Sequence, residues 1–144
     1  MGIISAGWYP AHLESCPFCD IPASRVRIET EHAFAVASPL AEGHVLVAPR
    51  KHVSSVYELT MPEQKALSEL VGGIRSRLIA GLKPDGLNMG FSYGLAAGQT
   101  AMHARVHVIP RRQGDVPDPR GAIRWVLADN ASYRKKQPMP PPCA

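Results

Sequence analysis

Three cysteines in 144 residues are too few, and odd in number, for a disulfide framework. Apolar stretches are also short: Gly, Pro, His or charge interrupts each one before the roughly 18 residues that a membrane span requires. The start carries no basic region followed by an apolar block. These absences predict a soluble, unexported, cytoplasmic protein kept under reducing conditions. Aromatics make up only 6% of residues, and no basic helix or aromatic-interleaved platform is visible, which places nucleic acid last among candidate partners. Acidic residues number 12 against 16 Lys plus Arg, giving +4 at pH 7. That balance suits an anionic partner without identifying one.

A hydrophobic fraction of 45% supports one packed core in a chain of this length, and only one. Residues 1–14 show no sustained period, and residues 129–144 are rich in Pro and Lys. Both read as extensions flanking a single domain over residues 15–128. Inside it, Val26 and Ile28 alternate with charged residues, and Phe34 to Ala37 and Val45 to Ala48 form short apolar runs bounded by Pro39, Gly43 and Pro49. These predict three strands. Thr60-Met-Pro-Glu63 has capping-box spacing, and Leu67, Leu70, Val71, Ile74, Leu78, Ile79 and Leu82 continue at threes and fours toward Gly81 and Pro84. One long helix is expected there. Leu87 to Tyr93 and Ala104 to Ile109 read as further strands around a small-residue loop, Gly94 to Gly98. Gly114 to Gly121 contains two prolines and reads as a loop, followed by a short strand at Ile123 to Leu127. The order predicts an α+β domain with a mainly antiparallel sheet.

The densest polar signal is Gln99-Thr-Ala-Met-His-Ala-Arg-Val-His-Val-Ile-Pro110. On a strand, His103, Arg105 and His107 share one face, with alternate residues about 6.6 to 7 Å apart. Three cation-capable groups on one wall suit a phosphate, or divide between a metal and a substrate. A plain solvent-facing strand is the competing reading. Cys16-x-x-Cys19, with His52 and His103, supplies two thiolates and two imidazoles, the donor types of a tetrahedral Cys₂His₂ zinc site. A redox pair and two reduced buried thiols are the alternatives. Asp20-Ile-Pro22 offers no helix start to lower a thiol pKa.

Residues 16–125 resemble the histidine triad (HIT) superfamily. The resemblance is carried by Cys16-Pro-Phe-Cys19, Gly43-His-Val-Leu-Val-Ala-Pro-Arg-Lys-His52, Leu87-Asn-Met-Gly90, Ala97-Gly-Gln-Thr100 and His103-x-x-x-His107 followed by Ile109-Pro-Arg111. Gly114-Asp-Val-Pro-Asp-Pro-Arg-Gly121 further resembles the bacterial branch labelled dinucleoside polyphosphate hydrolases. The resemblance implies a HIT-like fold with a zinc knuckle near the N-terminus. It makes Cys16, Cys19, His52 and His103 the ligands of a structural zinc. It also implies a homodimer formed through the long helix and an edge strand.

By resemblance, His107 hydrogen-bonds a phosphoryl group, His44 orients the catalytic strand, Gln99 and Thr100 contact bridging or leaving oxygens, and Asn88 helps position the same group. Two positions depart from the family. Arg105 stands where relatives carry the nucleophilic middle histidine, and guanidinium stays protonated with no free lone pair to attack phosphorus. Val36 stands where many relatives carry the acid that holds the ribose hydroxyls. The expectation is an atypical enzyme of a nucleotide or other phosphorylated small molecule that forms no covalent nucleotidyl-histidine. A pocket repurposed for acid-base chemistry on an anion, and a noncatalytic nucleotide-binding protein, are the alternatives.

Overall fold

The computed structural model describes residues 16–120. The expected strand at Ile123 to Leu127 and both terminal extensions lie outside these residues. The chain divides into a unit ending at Arg112 and a second beginning at Gln113. In the second unit, residues 113–120 form turns and no strand. There the Asp118 carboxylate accepts from the Arg120 backbone N–H and from its guanidinium.

The first unit holds the sheet and the helix: β1 Val26–Glu29, β2 Ala33–Ala37, β3 Val45–Pro49, α1 Met61–Leu82, β4 Gly86–Gly90 and β5 Val106–Arg111. All pairs are antiparallel, in the order β1-β2-β3-β5-β4, so β5 inserts between β3 and β4. This is the expected α+β architecture, one long helix on a mainly antiparallel sheet. β2 and β3 read as unbroken apolar runs because both of their faces are covered. On one face, Ala33, Ala35, Val47, Ala104 and Val108 pack with Leu67, Leu70 and Ile74 of the helix. On the other, Phe18 and Ala101 pack over Phe34, Val36, Leu46 and Ala48.

Helix α1 begins at the expected capping box. Glu63 accepts from the Thr60 backbone N–H at 2.7 Å and from its hydroxyl at 2.9 Å, and a proline occupies the first turn. Its end is set by Lys83, which takes a left-handed conformation ahead of Pro84. No helix among the described residues is long and apolar enough to cross a membrane.

The strands that flank the site have boundaries shifted from the sequence reading, and β5 runs on to Arg111 rather than stopping at Ile109. β4 stops at Gly90 rather than Tyr93, and β5 starts at Val106 rather than Ala104. At β5 the cause is a bond to a residue far away in sequence: the Ala104 N–H donates to Val53 O at 2.7 Å, outside the ladder. The side-chain alternation nevertheless continues through the unpaired stretch. Ala104, Val106 and Val108 face the helix-side core, and His107 shares the opposite face with its ladder partner Leu46.

Candidate anion and metal-binding site

The pocket is assembled from two loops and two strands. In the loop between β2 and β3, the Ser38 N–H donates to His44 O at 2.8 Å and the His44 N–H donates to Ala41 O at 3.1 Å. Gly43 takes φ +71° there, and a Cβ on it would lie 2.9 Å from the Pro110 ring and closer still to Leu82. Glycine is required by both conformation and space. The loop between β4 and β5 closes through Gln99, whose Oε1 accepts from Gly94 N–H at 2.8 Å and whose Nε2 donates to Ser54 O at 2.9 Å.

Between these loops lies a cavity of about 330 Å³ whose walls include Ser38, Leu40, Leu46, Thr100, Arg105 and His107. Arg105 is half-buried. Its Nη1 donates to Ala101 O at 3.2 Å and His103 O at 3.3 Å, and its Nη2 to Thr100 Oγ1 at 3.0 Å. All three partners are neutral, so among the described residues the guanidinium brings an uncompensated positive charge to the cavity. Of its five N–H donors, two remain for a ligand.

His107 sits beside it, with Nδ1 3.1 Å from His44 Nε2 and the rings stacked at 5.2 Å. Burial, then the neighbouring His44 and Arg105, lowers the His107 pKa to about 4. Burial also lowers that of His44. Near neutral pH, therefore, the histidine pair is uncharged and the cavity's charge is that of Arg105. Because Nδ1 of His107 is committed to His44, Nε2 is the nitrogen left to meet a ligand. It would donate or accept according to which way the proton lies in the pair.

The expected site residues are therefore placed unevenly. Arg105, His107 and Thr100 line the cavity, and His44 touches it through His107. Gln99 is 3% exposed and both ends of its amide are taken by the backbone, so its position is that of a loop staple. Asn88 pairs across the ladder with Ile109, two rows from His107, and its Oδ1 accepts from Arg111 at 2.6 Å. Sequence reasoning missed Ser38 and Ser92, whose hydroxyl-bearing residues line the cavity. Ser38-Pro39 ahead of the Gly43 turn was the available signal for the first.

A second cluster is built around His103, two residues before Arg105. Ligand atoms of Cys16, Cys19, His52 and His103 fall within 4.8 Å of one another. His103 is fully buried, and its Nε2 lies 2.8 Å from Pro49 O. Only an N–H can meet a carbonyl, so the proton is on Nε2 and the Nδ1 lone pair faces the sulfurs, 3.4 Å from Cys16 and 3.7 Å from Cys19. His52 Nδ1 lies 3.2 Å from Cys19 Sγ. Four donors, with one tautomer locked by an outer hydrogen bond, fit a tetrahedral metal ion.

Comparison with known proteins places the chain. A family profile described as HIT domain matches residues 22–114. The chain belongs to the HIT family. A HIT-like protein of Mycoplasma genitalium is 39% identical over 103 residues, covering 67% of this chain and 73% of that protein. The bis(5'-adenosyl)-triphosphatase of Dictyostelium discoideum is 35% identical over 97 residues, covering 66% and 65%. The crystal structure of a HIT family protein from Bacillus anthracis superposes with a TM-score of 0.64 at 30% identity, covering 69% of this HIT chain and 74% of that one.

Proposed function

We propose that this HIT protein is an atypical family enzyme that binds a nucleotide or other phosphorylated small molecule at Arg105 and His107 and acts on it without a covalent nucleotidyl-histidine. The observation that carries the reading is the half-buried guanidinium, whose partners among the described residues are neutral, lining the same cavity as His107. A planar cation of that kind suits bidentate, charge-assisted contact with phosphate oxygens. It occupies the position from which family members attack phosphorus, and it has no lone pair to do so. The relative from Dictyostelium, a bis(5'-adenosyl)-triphosphatase, supports a phosphorylated ligand.

In this reading Arg105 neutralises charge on the phosphoryl group, and His107 Nε2 hydrogen-bonds it. His44 fixes the imidazole's tautomer and orientation, and Thr100 holds one edge of the guanidinium. Asn88 and Gln99 shape the neighbouring strand and loop. Acceleration then comes from the fixed cation stabilising charge on the phosphoryl group while a water or second substrate attacks, with His107 or His44 as acid or base. Cys16, Cys19, His52 and His103 hold a structural zinc that ties the N-terminal turn to the sheet. A homodimer would use the groove beside edge strand β4, where Met89 and Phe91 meet Leu67 and Val71 of α1.

Intact-mass spectrometry after brief incubation with a dinucleoside polyphosphate tests the noncovalent claim. The expected spectrum shows the unmodified chain, and a nucleotidyl adduct on His107 or His44 would overturn the reading. Arg105→His is expected to gain an adduct at that position.

A further inference from the structure

We propose that Phe18 is a positioning residue for the anion site, its ring holding the Arg105 guanidinium against the pocket wall. The inference rests on the reading that Arg105 grips the anion. Phe18 sits inside the Cys16-x-x-Cys19 turn, which closes with Cys19 N–H and Asp20 N–H donating to Cys16 O at 3.0 and 3.1 Å. The turn aims the ring inward, where it is 7% exposed and packs with Phe34, Val36, Leu46 and Ala101. Arg105 Cζ lies 5.3 Å from the Phe18 ring centroid, within cation–π range. The His103 ring lies 5.5 Å from the same ring.

The geometry divides the labour on Arg105. Carbonyl oxygens of Ala101 and His103 and the hydroxyl of Thr100 fix the edge of the guanidinium, while Phe18 fixes its face. Guanidinium is weakly hydrated on its faces, so an aromatic ring can cover one without a large desolvation cost. An arginine side chain left free would have to be ordered at the moment of binding, and that ordering weakens affinity. Phe18 thus removes the cost in advance. The same turn carries two of the four cluster donors, so whatever holds Cys16 and Cys19 also holds the platform under Arg105.

A double-mutant cycle on orthophosphate affinity, measured by calorimetry on the full chain, tests this. Phe18→Leu is expected to weaken phosphate binding about three- to tenfold, the range set by a partly desolvated cation–π contact. Phe18→Tyr should bind within about twofold of the unaltered chain, since its ring supplies the same face. In an Arg105→Gln background, Phe18→Leu should change affinity hardly at all. Equal losses in both backgrounds would make Phe18 merely structural and overturn the proposal, as would no loss in either. Should Phe18→Leu not fold, Phe18→Met takes its place in the cycle. A chain that binds no phosphate at all would count against the reading of the site instead. The positioning claim would then be decided by the Arg105 Nε–H resonance, expected to be ring-current shifted in the unaltered chain and to lose that shift in the Phe18 variant. An unchanged resonance would sink it.

Discussion

Acid should destabilise this fold through His107, and the size of the effect can be worked out. In an unfolded chain a histidine titrates near 6.5, and in the folded one burial beside His44 and Arg105 lowers His107 to about 4. The unfolded state therefore takes up the proton first. Stability contributed by the neutral imidazole is complete above about pH 6.5 and is lost as pH falls from there toward 4. The full gap corresponds to at most ~3.4 kcal/mol at ~1.36 kcal/mol per pH unit. Because His107 lines a cavity open to solvent, screening reduces this to about 1–2 kcal/mol. Urea unfolding at pH 7.5 and at pH 4.0 spans most of the difference, and His107→Gln should remove that share of the pH dependence while leaving the rest. A variant with the same pH dependence as the unaltered chain would refute the assignment.

Gly43→Ala should cost about 2 kcal/mol or more, because φ +71° and the approach of Leu82 and Pro110 both exclude a side chain, whereas Gly73→Ala on the open helix surface should gain up to about 1 kcal/mol. Thermal melts of the two variants should move in opposite directions, and parallel shifts would contradict the account of the loop. A strong zinc chelator and Cys16→Ser should each lower the melting temperature, and chelator added to Cys16→Ser should lower it little further. Additive losses would mean the cluster does not act as one metal site. Val36 lies in the cross-strand row Val36–Leu46–His107 and offers no acceptor to a ribose diol, so AMP and 2',3'-dideoxy-AMP should bind within about threefold of each other. Val36→Asp should make AMP the tighter ligand, and calorimetry showing AMP already far tighter in the unaltered chain would contradict this.

Much of the architecture was legible because local signals agreed with the global fold. The capping box at Thr60, the threes and fours after it and the Pro and Gly breaks between apolar runs each marked an element where the structure has one. Strand ends were less legible. Backbone bonding at Ala104 goes to Val53, a partner 51 residues earlier that no local pattern announces. The grouping of Cys16, Cys19, His52 and His103 was suggested by their donor types together with the family resemblance, and the structure does bring the four side chains together. Gln99 was not: an amide next to a Gly-rich loop looks like a ligand contact until its two backbone partners, Gly94 and Ser54, are seen. Phe18 escaped notice for the same reason, because its contact with Arg105 spans most of the chain.

In the proposed mode of binding, the Arg105 guanidinium grips the anion in this cavity and forms no covalent bond to it. A crystal structure of the full chain soaked with orthophosphate would show this. The anion should lie within hydrogen-bond distance of both Arg105 and His107, with no covalent link to either. Phosphate held by His107 and His44 alone, with Arg105 turned out to solvent, would contradict it.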